Sequence, residues 1–361
     1  MTARPSEGPR LLSLCSGYGG LDMAVRAGLG GRVAVFAEND PCAAAVFAAH
    51  HPGVPNLGDI TRADWRALRD LYAPDVVVAG FPCQDISNAG RRVGIGGKRS
   101  GIWKDVAAAV RVLRPRLVFL ENVAAIRSRG LDVVAQDLAQ VGYDARWTCV
   151  RAGDPEVGAA HPRDRWFALA YPAAEDADLA AWGQRWAAAP AGGELRLLPT
   201  PASRDWKSGA SNLLGVNSRP LNEVAVNLLP TPKASDGPHG GPNQRDTSGR
   251  YYLPGQAVRL DDRWVAHDGT DYGPAIRRWE HVTGRPAPCP TEPGTRGNRR
   301  LAAAFAEWLM GLDAGHVTGR GLARKDELRI IGAGVVPQQG HHAFGQLLQA
   351  DEARPSALDA A

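Results

Sequence analysis

The sequence contains few cysteines, and none of them are paired in a metal-binding spacing. Among 361 residues there are five, Cys15, Cys42, Cys83, Cys149 and Cys289, and no two form a Cys-x-x-Cys pair. An odd number without such a pair predicts neither a zinc knuckle nor a disulfide framework. We therefore expect no metal site, and each thiol has to be considered by itself.

Long apolar segments are also missing. No uncharged apolar run approaches the roughly 20 residues that a membrane-spanning helix needs. The N-terminal sequence MTARPSEGPR mixes Pro, Glu and Arg, which is not the composition of a secretory signal peptide. No phosphate-binding motif G-x-x-x-x-G-K-S/T occurs, so a nucleoside ligand would carry no triphosphate. These absences predict a cytoplasmic protein with no membrane partner.

An excess of positive over negative charge is found in one segment and is missing from the rest of the chain taken together. The chain carries 42 Lys and Arg against 38 Asp and Glu. Residues 201–300 hold 14 of the basic and 10 of the acidic residues, which leaves 28 of each elsewhere. The whole positive excess therefore lies in that segment. It is consistent with a module that faces a polyanion and equally with a solvated surface.

Short apolar runs alternate with amphipathic segments as far as residue 171. This alternation predicts an α/β fold with a doubly wound, mostly parallel sheet. The predicted strands are Leu11–Cys15, Val33–Ala37, Asp75–Ala79, Leu117–Leu120 and Arg165–Tyr171. The predicted helices are Leu21–Ala27, Pro41–Ala49, Arg62–Leu71, Gly101–Leu113 and Leu131–Val141.

The composition changes after residue 171. Fifteen of the 27 prolines lie between Pro172 and Pro293, with little sustained periodicity, which predicts a second, irregular domain over 172–297. A predicted helix at Leu301–Met310 and an apolar stretch at Ile330–Leu348 resemble the first domain again. We therefore expect 298–348 to complete the first domain, 1–171, and 349–361 to form a loose tail.

Residues that could bind a nucleoside follow the first strands. Ser16-Gly17-Tyr18-Gly19-Gly20 is a tight glycine turn, and Glu38 stands where such folds hold ribose hydroxyls. Asp59-Ile60 follows the next short segment. Taken singly, the turn could be merely a turn and Glu38 merely a helix-capping acid.

Two further strand ends carry groups suited to catalysis. Gly80-Phe81-Pro82-Cys83-Gln84 follows one strand and Glu121-Asn122-Val123 follows its neighbour. A cysteine behind a proline at the ligand-binding edge is placed as a nucleophile would be. Glu121 could then act as the acid that activates a bound electrophile.

In the order of these motifs the chain resembles the DNA cytosine-5 methyltransferases. The resemblance covers about 1–171 and 298–348. Its segments are Ser16-Gly17-x-Gly19-Gly20, Glu38, Asp59, Pro82-Cys83-Gln84, Arg99-Ser100-Gly101, Glu121-Asn122-Val123, Arg163-x-Arg165, Glu307-x-x-Met310-Gly311 and Val336-Pro337.

The resemblance implies S-adenosylmethionine as cofactor, a class I methyltransferase fold, and a methyl transfer to carbon 5 of a flipped cytosine through a covalent Cys83 adduct. It implies catalytic roles for Cys83, Glu121, Arg163 and Arg165. The implied cofactor-binding residues are Cys15, Gly17, Gly19, Gly20, Glu38, Asn39, Asp59, Ile60, Gly80, Pro82 and Ala333. The implied DNA-binding residues are Gln84, Ser87, Arg91, Arg92, Arg99, Arg204 and Lys207, with 172–297 as the target-recognition domain.

Three positions depart from the pattern of the family. Cys15 stands where Phe is usual, His161 where Gln is usual, and Ala333 where the last motif usually has Asn. The loss of an amide at 333 either weakens cofactor binding slightly or opens room near the sulfonium for a larger transferable group.

Alternatives remain open at this stage. A few relatives with these motifs act on RNA, although a variable segment of roughly 120 residues favours sequence readout on double-stranded DNA. A protein that binds DNA without turnover is the other alternative. We expect a monomer whose functional partner, without physical contact, is a cognate restriction endonuclease.

Overall fold

The computed structural model describes residues 8–82, 101–189, 227–294 and 297–349, without the side chains of 175–178. The chain forms two compact units. The first comprises Met1–Val150, Asp164–Ala191 and Gln339–Ala361, and the second comprises Arg151–Arg163 and Gly192–Gln338. The second unit thus takes in 151–163 and 298–338, so its bounds differ from those of the predicted recognition domain. The functional division at 171 and 297 stays a prediction.

A six-stranded sheet forms the centre of the first unit. Its strands lie in the order β2-β1-β3-β4-β6-β5. They are β1 Arg10–Leu14, β2 Arg32–Ala37, β3 Val76–Gly80, β4 Leu117–Val123, β5 Tyr143–Arg151 and β6 Asp164–Pro172. β1 pairs in parallel with β2 and β3, and β3 with β4, whereas β4 and β6 are antiparallel. The predicted class, a mostly parallel doubly wound sheet, is confirmed.

Helices alternate with the strands of this sheet. They are α1 Gly20–Leu29, α2 Pro41–His50, α3 Trp65–Tyr72, α4 Ile102–Leu113, α5 Ile126–Arg129, α6 Leu131–Gln140 and α7 Asp176–Ala188. α3 begins later than predicted because Asp64 caps it: its Oδ1 accepts hydrogen bonds from the N–H groups of Arg66 and Ala67, both at 3.1 Å. A separate 3-10 turn occupies Ile60–Arg62.

Two differences from the prediction concern the strands. β5 was not predicted, because it lies at the sheet edge and only Tyr143 and Val150 within it are buried. Such a strand has no continuous apolar run. β4 extends to Val123, three residues beyond its predicted end, so Glu121 and Asn122 belong to the strand itself.

The core of the first unit lies on both faces of the sheet. On one face Trp103 and Phe81 are buried together, with ring centroids 5.2 Å apart. On the other, Phe344 of the last helix meets Phe119 edge-on at 4.7 Å. A Cβ at Gly340 would lie 3.0 Å from the Cβ of Ala24, so glycine allows this helix to approach α1 closely.

The second unit is built from short elements. They are α8 Leu253–Ala257, α9 Gly273–Thr283, β7 Thr291–Pro293, β8 Arg299–Leu301, α10 Ala303–Leu309 and α11 Arg324–Ala333, after which α12 Pro337–Gln349 continues into the first unit. The predicted apolar stretch Ile330–Leu348 is therefore two helices separated at Gly334. Along the part of the chain that the structure describes, no helix is long and apolar enough to cross a membrane.

Buried polar side chains fix the irregular backbone of the second unit. Arg278 of α9 donates hydrogen bonds to the carbonyl oxygens of Gly158 and Ala159, at 2.8 and 2.7 Å. Glu307 of α10 accepts hydrogen bonds from the N–H groups of Val317 and Thr318. These side chains satisfy backbone groups that no regular sheet pairs, as buried backbone groups require.

Candidate active site

The carboxyl ends of β1, β3 and β4 bring three of the predicted site residues together. Gly80 pairs with Glu121 in the parallel register of β3 and β4. A Cβ at Gly80 would lie 3.5 Å from Glu121 Oε2 and 3.9 Å from the carbonyl oxygen of Cys15. Ligands of doubly wound sheets bind at this edge, so the three positions form the floor of one site.

The glycine turn after β1 leaves open space at Gly17. Gly17 and Gly19 have φ of +56° and +88°, which favour glycine, and α1 begins at Gly20. A Cβ at Gly17 would meet no atom of the described residues within 4 Å, so a ligand can approach there. The N–H groups at the start of α1 add the positive end of the helix dipole.

Glu38 is held firmly beside this turn. Its Oε2 accepts a hydrogen bond from the N–H of Gly17 at 2.8 Å, and its Oε1 accepts one from the N–H of Asp40 at 2.9 Å. Its main chain exchanges two hydrogen bonds of 3.0 Å with the side chain of Asn56. Asn39 is exposed next to it. The carboxylate is thus fixed where a hydroxyl donor of a ligand could reach it.

Asp59 provides a second carboxylate near the ends of the strands. Its Oδ1 accepts hydrogen bonds from the N–H and the hydroxyl of Thr61, at 3.0 and 2.9 Å. These bonds, the backbone one first, hold the pKa of Asp59 below its usual range, so it is ionised at neutral pH. Ile60 is buried directly behind it. An ionised carboxylate of this kind accepts hydrogen bonds from an amine.

The Cys15 thiol is not suited to nucleophilic attack. Burial, and then the nearby carboxylates of Glu38, Asp105 and Asp59, raises its pKa to about 12. A thiol with that pKa stays protonated at neutral pH, and only the thiolate is a good nucleophile. Cys15 also has a φ of +54°, which places it in the left-handed region directly before the glycine turn.

Glu121 and Arg165 form an ion pair across β4 and β6. Arg165 Nε lies 2.8 Å from Glu121 Oε1, and the side chains are only 18% and 11% exposed. The antiparallel register places Arg165 opposite Val123, two residues beyond Glu121. Arg165 Nη1 also donates to the carbonyl oxygen of Asp164 at 2.8 Å. The pair is therefore rigid, with little water to screen it.

Asn122 fixes the chain that leads to Cys83. Its Nδ2 donates a hydrogen bond of 3.1 Å to the carbonyl oxygen of Phe81, and its Oδ1 accepts one of 2.8 Å from the N–H of Val123. Pro82 is the last described residue before the predicted nucleophile. The remaining predicted residues lie outside the described part of the chain: Cys83, Gln84, Ser87, Arg91, Arg92, Arg99, Arg204 and Lys207.

Arg163 and Ala333 are found in the second unit. Arg163 is buried and donates hydrogen bonds to the carbonyl oxygens of Pro232, Gly332 and Gly334. Its guanidinium thus holds the backbone on both sides of Ala333, the last residue of α11, whose own side chain is exposed. His161 is fully buried and its Nε2 lies 2.9 Å from the carbonyl oxygen of Leu309.

Sequence reasoning missed a buried polar network behind the glycine turn. The Ser13 hydroxyl lies 2.8 Å from Ser16 Oγ and 2.9 Å from Asp22 Oδ2. Asp22 is 1% exposed, and burial raises its pKa to about 7. The available sign in the sequence was an acid in the first turn of a helical segment that is apolar apart from Asp22 and Arg26.

The model of the C-5 cytosine-specific DNA methylase family matches residues 10–196, just over half of the chain. The chain belongs to this family. Type II methyltransferase M.CviJI of Paramecium bursaria Chlorella virus IL3A is 41% identical over 97 residues, which is 27% of this chain and 26% of that protein. Type II methyltransferase M2.BsuMI of Bacillus subtilis (strain 168) is 34% identical over 151 residues, 40% of this chain and 37% of that protein.

These matches span from about a quarter to just over a third of the length of the two methylases. Among solved structures, the S. pombe Dnmt2 methyltransferase has a TM-score of 0.54 and 16% identity, over 96% of this chain and 100% of that one. At that identity the likeness establishes the fold, a class I methyltransferase fold.

The carboxylates at the sheet edge suit S-adenosylmethionine, the cofactor that supplies the methyl group in this family. A ribose diol and an adenine amine are hydrogen-bond donors, and Glu38 and Asp59 are fixed carboxylate acceptors. The open space at Gly17 leaves room for a ligand beside the turn.

Proposed function

We propose that this chain transfers the methyl group of S-adenosylmethionine to carbon 5 of a cytosine within a specific sequence of double-stranded DNA, the reaction of class EC 2.1.1.37. The observation that carries the proposal is the rigid Glu121–Arg165 pair at the carboxyl edge of the sheet. It lies beside Gly80, three residues before a cysteine, in a chain of the cytosine-5 methylase family.

Glu38 and Asp59 bind the cofactor in this proposal. Glu38, braced by the N–H groups of Gly17 and Asp40, accepts hydrogen bonds from the ribose hydroxyls, and Asp59 accepts one from the adenine amine. Gly17, Gly19 and Gly80 let the backbone approach. S-adenosylmethionine supplies an electrophilic methyl group. Cys15, protonated at neutral pH, contributes a neutral surface and does not compete as a nucleophile.

Cys83 is the proposed nucleophile. Carbon 5 of cytosine is too weakly nucleophilic to take a methyl group directly, so the ring has to be activated first. The Cys83 thiolate forms a bond to carbon 6, and the electrons of the 5,6 double bond move toward carbon 5 and the N3 side of the ring. Carbon 5 then bonds to the methyl group as the bond between that group and sulfur breaks. Transfer of the carbon 5 proton to a base finally expels the thiolate by elimination. Asn122, which fixes the carbonyl of Phe81, holds the segment that carries Cys83.

Glu121 acts in its protonated form, and it stabilises the negative charge that develops at N3 by donating its proton or a hydrogen bond. Arg165 keeps that carboxyl group in place, with N–H groups left to bind the O2 oxygen of the base. For Arg163, predicted as catalytic, we propose a positioning role, because its guanidinium donates to three backbone carbonyls of the second unit.

The target atom is inaccessible inside a duplex, so the cytosine has to be flipped out at a cost of a few kcal/mol. Readout of the surrounding sequence is assigned to 172–297, which shares 201–297 with the segment that has the basic excess. A cytoplasmic location, a monomeric state and a cognate restriction endonuclease as functional partner belong to the same proposal.

The proposal is tested with the purified full chain, S-adenosylmethionine labelled on its methyl group, and unmethylated bacterial genomic DNA. We expect label in DNA, and in 5-methylcytosine after digestion to nucleosides. Cys83→Ser is the matched control and should transfer no label. Label in N6-methyladenine, label only in transfer RNA offered in parallel, or transfer by Cys83→Ser would each contradict the proposal.

Duplex DNA with 5-fluorocytosine at the methylated position tests the covalent step. Fluorine cannot leave as a proton does, so elimination stops and the enzyme remains bonded to carbon 6. We expect an adduct that survives denaturant with the wild type and not with Cys83→Ser. An enzyme active on ordinary cytosine that forms no adduct would refute attack by Cys83.

A further inference from the structure

The second unit contains a cavity lined by arginines. Its volume is about 250 Å³, and Arg299, Arg300 and Arg324 line it together with Pro242 and Pro254. Arg299 and Arg300 lie on β8, and Arg324 is the first residue of α11. All of these residues belong to one compact unit and lie outside the proposed active site.

The walls of the cavity are braced. Arg259 donates hydrogen bonds of 2.7 Å to the carbonyl oxygens of Pro242 and Gly255. Its guanidinium also lies 3.8 Å from the centre of the Tyr251 ring. Arg324 donates to the carbonyl oxygen of Leu301, the last residue of β8. The cavity is therefore formed by fixed backbone, which is the preorganisation that a binding site requires.

One carboxylate serves two of the arginines. Oε1 of Glu292 lies 2.9 Å from Arg300 Nη2 and 3.0 Å from Arg324 Nε. Arg299 donates through Nε to Thr291 Oγ1 at 2.9 Å, a neutral partner. Glu327 also acts on Arg324, so three guanidinium groups stand against two carboxylates and an excess of one positive charge remains.

The environment of Arg300 and Arg324 favours an additional negative charge. Arg300 Nε is buried and has no hydrogen-bond partner among the described residues. Burial first, and then the charge of Arg300, lowers the pKa of Arg324, while Glu292 and Glu327 act in the opposite direction. An anion in the cavity would offset the repulsion between Arg300 and Arg324.

We propose that this cavity binds a phosphate group of the DNA backbone. The inference rests on the proposed function, which supplies duplex DNA as the substrate. Guanidinium groups match phosphate oxygens in geometry and charge, and two of the three arginines, Arg299 and Arg300, lie in 201–300, the segment that carries the positive excess of the chain. A backbone phosphate held here would fix the position of the second unit on the duplex without reading its sequence.

Arginine replacements test the site directly. Binding of a fluorescent duplex containing the methylated sequence is measured for the full chain with S-adenosylhomocysteine, from 50 to 300 mM salt. Arg299→Gln and Arg300→Gln should each weaken binding about tenfold at the lower salt and reduce the slope of log K against log salt by about one. Glu292 keeps Arg324 in Arg300→Gln, so no unpaired carboxylate is created.

Arg263→Gln is the matched control. Its side chain is 85% exposed and pairs with Asp261 in the same unit, away from the cavity lining. It removes the same charge and should change DNA affinity less than twofold. A loss equal to that of Arg299→Gln would mean that general charge, and not the cavity, binds DNA, which would overturn the proposal.

Glu292→Gln separates a binding role from a structural one. Removing the carboxylate raises the positive charge of the cavity by one, so DNA should bind about threefold more tightly and with a steeper salt slope. A purely structural ion pair would give lower thermal stability with weaker or unchanged DNA binding. That result would overturn the proposal.

The remaining outcomes distinguish this inference from the proposed function. If the wild type methylates DNA while both arginine variants bind it as tightly as the wild type, the cavity proposal is wrong and the proposed function stands. If inorganic phosphate raises the melting temperature of the wild type and not of Arg300→Gln, while DNA affinity is equal, the cavity is a free-anion site and the proposal is also wrong. A wild type that neither binds nor methylates duplex DNA would refute both.

Discussion

Asp22 gives the fold a pH dependence that can be worked out from its surroundings. It is 1% exposed, its Oδ2 accepts a hydrogen bond of 2.9 Å from the Ser13 hydroxyl, and its Oδ1 has no partner among the described residues. Burial disfavours the carboxylate and raises the pKa of Asp22 from its ordinary 3.8 to about 7. The perturbations are a change of pH and the substitution Asp22→Asn, which cannot titrate.

The sign follows from linkage. Because the folded-state pKa is raised, the folded protein holds this proton between about pH 4 and 7, where the unfolded chain has lost it. The stabilising contribution is complete below the unfolded pKa and disappears as the pH rises through about 7. The difference between 3.8 and about 7 corresponds to about 4 kcal/mol in all, at about 1.4 kcal/mol per pH unit. About 3 kcal/mol of this lies between pH 5 and 8.5.

Urea unfolding, followed by tryptophan fluorescence at pH 5 and pH 8.5, measures the effect. Between these two values the wild type should lose about 3 kcal/mol more stability than Asp22→Asn. Asp70→Asn is the control, since the Asp70 side chain is 70% exposed and, among the described residues, pairs with its neighbour Arg69. Equal pH dependence in the wild type and Asp22→Asn would refute the assignment of a buried, protonated carboxyl group at this position.

Three further predictions concern the proposed reaction. Glu121→Gln should lower kcat about 10²- to 10³-fold with little change in S-adenosylmethionine binding, because the charge it stabilises develops only in the reaction; an unchanged kcat in single-turnover assays would contradict this role. Ala333→Asn should tighten S-adenosylmethionine binding by a few-fold to about tenfold in calorimetry, and it should exclude bulkier analogues only if Ala333 opens room at the sulfonium. No change in either would mean that position 333 does not face the cofactor. Grafting 172–297 into a related methylase should transfer the methylated sequence, and retention of the old specificity would contradict the assignment of that segment.

Much of the fold could be predicted because parallel strands are buried on both faces and therefore appear in the sequence as apolar runs. β1, β3 and β4 are runs of buried, mostly apolar residues, and their ends carry Cys15, Gly80 and Glu121. β5 could not be found in this way, since an edge strand with few buried residues lacks that run. The position of Glu38 after a strand could be read from the sequence. The hydrogen bond that Glu38 accepts from the N–H of Gly17 could not, because it depends on β1 and β2 lying side by side.

The polar contacts that support the site were beyond the sequence for a similar reason. Asn122 was predicted as part of a motif, but nothing in its neighbourhood indicates that its amide binds the carbonyl of Phe81, 41 residues earlier. Asp22 likewise depends on Ser13, which lies on the strand before the turn. Such contacts are set by tertiary packing, so periodicity and composition contain no trace of them.

The two arginines of the Arg163-x-Arg165 motif have different surroundings in the structure. Residues two apart in a strand project from the same face, which favours a shared role at one site. β6 begins at Asp164, however, so only Arg165 is a strand residue, and it pairs with Glu121. Arg163 stands before the strand and donates to the carbonyls of Pro232, Gly332 and Gly334. The motif therefore combines a charge partner for a proposed catalytic acid with a brace for the irregular backbone of the second unit, and loss of the second arginine should impair chemistry while loss of the first should impair folding.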